Sequence, residues 1–126
     1  HTLLIHTLPP IDWQSSDVWV DELAAIGRTA SRSTGPTIVF GDFNAGRWHP
    51  GFRRLLDRGR LDDSQESAGH GLSVSWPVDW PGVPPFARLD HVLVGGGIGV
   101  SGGFTRGLPG SDHKAVVADL VLVGAN

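Results

Sequence analysis

The chain has 126 residues, enough for one domain with a modest core. Apolar content of 40% with 18% charged residues fits a folded chain rather than a disordered one, and a formal charge of -3 argues against a broad nucleic-acid-binding face. Cysteine is absent, which excludes disulfides and thiolate metal sites, and no apolar run is long enough to span a bilayer.

Leu3-Leu4-Ile5 predicts a short strand, ended by His6-Thr7-Leu8-Pro9-Pro10 because tandem prolines cannot continue a ladder. Ser15 or Ser16 is suited to cap a helix running to about Ser31, with Trp19, Leu23, Ile26 and Ala30 as one apolar stripe. Acidic residues near its start and Arg28 and Arg32 near its end follow the order that the helix dipole favours. A strand over Thr37 to Phe40 opens into a loop from Gly41 to Pro50. A short helix then begins near Pro50, with Phe52, Leu55 and Leu56 inward and Gly59 as its end. Leu61-Asp62-Asp63-Ser64 leads into a polar loop through Gly71, and Leu72 to Trp76 alternates as a strand does. Pro77 to Phe86 is a proline-rich loop. Arg88 to Val94, Ile98 to Thr105 and Ala115 to Val123 complete the strands, the middle one weakened by glycine. The order β-α-β-α followed by four strands predicts an α/β fold whose later sheet is largely antiparallel. The chain begins inside a strand with no signal peptide visible, so a piece of a longer protein is expected and targeting stays open.

Polar side chains suited to metal or phosphate chemistry stand at the ends of these strands. In Ile38-Val39-Phe40-Gly41-Asp42-Phe43-Asn44, a spacing of two puts Asp42 and Asn44 on one face where a strand opens into a loop. A carboxylate beside a carboxamide suits Mg²⁺ or Ca²⁺ and a phosphate, although Gly, Asp and Asn also build ordinary turns. His6 follows an apolar strand, where a structural histidine is the plainer alternative. Asp90 is costly inside an apolar strand unless it is paired, and His113, His91 and Arg88 are the available partners. Gly110-Ser111-Asp112-His113 precedes the last strand and reads equally as a turn. Together these residues are the parts of a metal-assisted phosphoester hydrolase. His49 suits the start of the second helix, and His91 alternates away from Asp90 towards the opposite face. Trp48, Trp76 and Trp80 fit either loop anchors or a hydrophobic rim for a lipid or a base.

Four motifs extend this into a resemblance over nearly the whole chain: His6-Thr7-Leu8-Pro9, Gly41-Asp42-Phe43-Asn44, Leu89-Asp90-His91-Val92 and Gly110-Ser111-Asp112-His113-Lys114-Ala115-Val116. In their order and spacing the chain resembles the endonuclease/exonuclease/phosphatase family, the deoxyribonuclease I-like phosphoesterases. The resemblance implies in-line attack of water on a phosphoester with Mg²⁺ or Mn²⁺. It implies that His6 and His113 contact the scissile phosphate, His6 with the capacity of a general acid, and that Asp42 orients or deprotonates the attacking water and touches the metal. Asn44 would hold a phosphoryl oxygen, Asp112 would stand near the metal, and Asp90 would orient His113. Nucleic acids, phospholipids and lipid pyrophosphates are the substrates it allows.

Ser75-Trp76-Pro77, the proline-rich loop and Phe86 to His91 are similar to bacterial members that carry this domain outside the membrane after N-terminal helices. That likeness implies an extracytoplasmic, membrane-anchored location. The family's domain is roughly twice as long, and its first half supplies an Asn and a metal-binding Glu. Residues 1–126 therefore resemble the C-terminal portion of a four-layered α/β/β/α sandwich with mostly antiparallel sheet. Half of such a sandwich leaves an apolar sheet face bare, so a dimer or association with the missing half is expected. The alternative is a catalytically silent half-domain that needs a partner chain or serves as a binding module. Sheet-edge nucleic-acid binding without hydrolysis is disfavoured by the charge.

Overall fold

The computed structural model describes residues 1–123; Gly124 to Asn126, the end of the domain expected over 1–126, lie outside the described residues. Strand β1 (Thr2–His6) leads into helix α1 (Trp13–Ser31), which returns the chain to strand β2 (Thr37–Asp42) lying parallel beside β1. The helix starts earlier than Ser15. Asp12 takes the cap position, its carboxylate accepting from the Ser15 N–H at 2.7 Å while the Ser15 hydroxyl accepts from the Asp12 N–H. This reciprocal pair satisfies two donors at the helix start, which a serine cap further along would leave open. Trp19, Leu23, Ile26 and Ala30 are buried along one face, as their spacing requires.

Helix α2 (Pro50–Gly59) packs against α1. The close approach falls at Gly27, where a side-chain carbon would meet the Leu55 carbonyl oxygen at 3.2 Å. His49 caps α2 through its Nδ1, which accepts from the Gly51 N–H at 3.1 Å, and Pro50 pre-sets the first turn. The helix ends one residue later than the glycine signal suggests. Gly59 is buried against Leu61 and Ala30, so its missing side chain serves packing, and Arg60 takes the left-handed cap at φ 54°.

Residues expected to form a polar loop contain a two-residue strand β3 (Asp62–Asp63) and one turn of helix α3 (Ser64–Ser67) capped by Asp63. Strand β4 (Asp90–Gly95) pairs antiparallel with β2 on one side and with β3 on the other. The sheet order is β1-β2-β4-β3. Strand β5 (Ile98–Gly107) and strand β6 (Lys114–Leu122) form an antiparallel hairpin with a bulge between Val100 and Gly102. Only the β1–β2 pair is parallel among the described residues, which fits the mixed α/β, mostly antiparallel architecture. Leu72 to Trp76 is not a strand. Among the described residues it makes one β-bridge, from Trp76 to Ala87, and Leu72 is exposed.

Both helices cover one face of the four-stranded sheet. The core there holds Leu23, Phe52 and Leu55 against Val39, Phe43 and Leu93. Register assigns the other face to Leu4, Phe40 and Val92, which stand side by side across β1, β2 and β4. Leu4 is 75% exposed on that side, while the hairpin packs beside β4. The same alternation carries His6, Asp42 and Asp90 to this second face, at the end where β1 and β2 finish and β4 begins.

Candidate active site

His6 pairs in register with Asp42, and Asp42 with Asp90, so three functional side chains lie abreast at one sheet end. Gly41 makes this possible. At φ 135° a side chain there would strike the Ile5 carbonyl oxygen, so only glycine lets β1 close against β2 just before the acid. The chain then leaves the strand sharply. The Asn44 N–H donates to Asp42 Oδ1 at 2.8 Å and Asn44 sits at φ 47°, an Asx turn. The turn and the functional arrangement are therefore the same feature. Asn44 Nδ2 donates one hydrogen to the Thr7 carbonyl at 2.9 Å, which ties this loop to the end of β1 and leaves its second hydrogen for a ligand oxygen.

His113 arrives from the β5–β6 turn and its Nδ1 lies 2.7 Å from Asp90 Oδ2. The carboxylate accepts there, so Nδ1 carries the hydrogen, and among the described residues Nε2 has no hydrogen-bond partner. The Ser75 hydroxyl donates to the same Asp90 oxygen at 2.7 Å and accepts from the Leu89 N–H at 3.1 Å. Of the three partners open to Asp90, His113 is the one taken. Ser75 is fully buried, and the sequence placed it only in a strand and in the Ser75-Trp76-Pro77 likeness, with no role at Asp90.

One ligand atom each from Asp42, Asp90 and His113 lies within 4.8 Å of the others, a group able to hold a metal ion. Burial pushes the Asp42 carboxyl above its ordinary value and the Asp90 charge adds to this, against the Asn44 N–H and the two nearby histidines, His113 and His6. Among the described residues the Asn44 N–H alone donates to that carboxylate. A crowded acid of this kind fits a cation as its missing partner. Asp90 Oδ2 already accepts from His113 and Ser75, which leaves its other oxygen, Oδ1, for a cation. Asp112, expected beside Asp42 at the metal, is exposed and outside the cluster, although its carbonyl oxygen accepts from the Val78 N–H at 2.7 Å.

Behind the site lies a second Asp–His pair that the sequence did not reveal. His91 faces the helix side, as its alternation against Asp90 requires, and is 1% exposed between Phe43 and Phe52. Its Nδ1 lies 2.6 Å from Asp63 Oδ2 and its Nε2 lies 2.8 Å from the Ala45 carbonyl oxygen. Arg88 Nη2 donates to the same Asp63 oxygen at 3.1 Å. Burial pushes Asp63 up, but the hydrogen bond and charge of His91, the Arg88 charge and the Glu66 N–H outweigh it and hold the carboxyl below its ordinary value. This network clamps the loop after Asn44 to β3 and β4. Nothing in the sequence linked Asp63 to His91, which lie 28 residues apart.

The architecture and motifs agree with a family model. The description Endonuclease/Exonuclease/phosphatase family matches residues 2–113. The chain belongs to that family. Comparison with curated proteins gives no match. Among solved structures, a functionally unknown conserved protein from Enterococcus faecalis aligns at a TM-score of 0.71 and 18% identity, covering 95% of this chain and 49% of its own. A mannosyl-6-phosphatase of Bacteroides thetaiotaomicron aligns at 0.62 and 21% identity over 95% of this chain and 49% of its own. The catalytic domain of human Nocturnin, solved with bound sulfate, aligns at 0.63 and 20% identity over 94% of this chain and 45% of its own. At these identities the likeness establishes the fold. The chain spans about half the length of the structures it matches.

Proposed function

We propose that this chain carries the phosphate-handling part of a metal-dependent phosphoester hydrolase. The observation that supports this reading best is the His113–Asp90 pair held at 2.7 Å directly across the sheet end from Asp42. Asp90 and Ser75 fix the imidazole, so Nε2 presents to a phosphoryl group and exchanges a proton with the attacking water or the leaving oxygen. The free amide hydrogen of Asn44 holds a phosphoryl oxygen, and His6, exposed at the end of β1, contacts the phosphate from the other side. Asp42 orients the water. Asp42 would hold Mg²⁺ or Mn²⁺, which when bound supplies neutralisation of the charge that develops on the phosphoryl oxygens.

A second reading has its own support. Asp112 stands apart from the cluster and Leu4 is 75% exposed on the sheet face, as expected of a half that works only with a complement. That face is where a second copy or the remainder of the family's domain would pack. The test is hydrolysis of a generic phosphodiester and a pyrophosphate with Mg²⁺, with and without chelator, by this chain and by its Asp42→Ala and His113→Ala variants. Chelator-sensitive turnover lost in both variants supports the hydrolase and sinks the silent half. No turnover, together with a stable dimer in sedimentation, supports the second reading.

A further inference from the structure

We propose that His49 is a positioning residue whose neutral ring holds the loop carrying Asn44, so that the site loosens when that ring gains a proton. This rests on the hydrolase reading above and adds to it an acid-sensitive control outside the catalytic groups. The observation is a clamp on one indole. Trp19, on α1, donates its N–H to the Phe43 carbonyl at 2.9 Å, and its ring centre lies 4.4 Å from that of His49. The His49 N–H in turn donates to the Gly46 carbonyl at 3.0 Å. Both ends of the segment from Phe43 to His49 thus rest on Trp19. Asn44 stands near its start at φ 47°, in the left-handed region that favours glycine, so its conformation depends on the segment being held.

The ring closes this clamp in one protonation state only. Its Nδ1 accepts from the Gly51 N–H at 3.1 Å, which requires that nitrogen to be bare and puts the hydrogen of the neutral ring on Nε2. A proton on Nδ1 sets two hydrogens against each other. It also places a positive charge at the start of α2, the end where the helix dipole is already positive. The other two helices avoid this, since the carboxylates of Asp12 and Asp63 cap α1 and α3. Arg54 of α2 acts on the His49 ring with its charge, and Trp19 meets it from α1 without one. Arg47 and Arg88 line the same groove, each paired at 3.1 Å with an acid, Glu66 and Asp63. Burial, joined by the Arg54 charge, pushes the imidazole below the ordinary histidine value. The clamp is therefore fully present above the unfolded value and is lost as pH falls through the folded one.

The test is a pH titration followed by nuclear magnetic resonance on the Gly51 amide and the Trp19 indole N–H, the latter assigned by its loss in Trp19→Phe. The expected result is that both resonances shift together as pH falls from about 7.5 to about 5, with one midpoint below the ordinary histidine value of about 6.5. His49→Asn supplies a cap that does not titrate, and with folding confirmed by circular dichroism it abolishes both shifts. In steady-state kinetics the ratio of its turnover to the parent's is near one at about pH 7.5 and rises to about tenfold at about pH 5. The catalytic groups are the same in both proteins, so the ratio isolates His49. A Gly51 amide that does not titrate overturns the proposal. So do a Trp19 indole that stays in place while Gly51 moves, shifts that persist in His49→Asn, and a ratio that is flat with pH. The resonances need no turnover, so the two readings fail separately. Paired shifts lost in His49→Asn, in a protein that hydrolyses no ester, keep the clamp and remove the hydrolase. Turnover with a flat ratio does the reverse.

Discussion

Asp90 and Asp63 each hold a histidine, and the two pairs use neighbouring residues of a single strand. His113 binds Asp90 on one face of the sheet, while His91, next to Asp90, binds Asp63 on the other. The distances, 2.7 and 2.6 Å, are alike. What differs is the second ring nitrogen. In His91 it is spent on the Ala45 carbonyl, so the ring has nothing left to offer and its side chain is wholly buried. In His113 it is open, and the side chain keeps 25% of its surface. An Asp–His pair is thus structural or chemical according to whether its far nitrogen finds a partner inside the protein.

The largest expected effect tests the buried pair. Asp63→Ala leaves the Arg88 and His91 donors without their acceptor, and breaking such a network costs about 3–5 kcal/mol. Urea unfolding should show that loss, and a midpoint unmoved from the parent would make the buried pair incidental. His113→Ala is expected to do the opposite, lowering turnover by about 100-fold or more in steady-state kinetics. Its cost in stability stays within about 1 kcal/mol, since the pair is partly in water. Equal stability losses in the two variants would erase the distinction drawn above.

The two acids, on opposite faces of the sheet, should also respond to pH with opposite sign. Asp63 is held below its unfolded value, so its contribution is present above about pH 4 and is lost as pH falls through its folded value. Asp42 is raised, so its contribution is present below about pH 4 and is lost as pH rises through its folded value. Asp42→Asn should therefore be inactive yet at least as stable as the parent at pH 7, in the absence of added metal. Urea melts from pH 3 to 7 would show Asp63→Asn flattening the acid limb; an unchanged limb would count against the assigned pairing. The smallest effect belongs to Ser75→Ala. It removes one of the two hydrogen bonds that hold the Asp90 oxygen, at about 1 kcal/mol, and should lower kcat more than it changes KM.

Much of this was legible in the residues. The stripe Trp19-Leu23-Ile26-Ala30 and the strand ending at Asp42 follow from short-range spacing, which side-chain periodicity reports directly, and the four motifs carried the family resemblance. The short strand β3, the single turn α3 and the failed strand at Leu72 to Trp76 were misread because their state depends on pairing with distant segments. Ser75 and the Asp63–His91–Arg88 network were missed for the same reason. Their partners lie between 15 and 46 residues away.

By itself the sequence determined the inventory: which strand ends carry acids, amides and histidines, and that His91 and Asp90 face opposite ways. Alternation along a backbone is local and survives any tertiary arrangement. The resemblance already paired Asp90 with His113; only the tertiary structure decided that His91 pairs with Asp63 and that Asp112 stands outside the cluster. It also decided that Trp13 and Trp48 are exposed while Trp19 is buried. Those outcomes depend on sheet register and loop closure, through which contacts far apart in the chain compete for the same carboxylate.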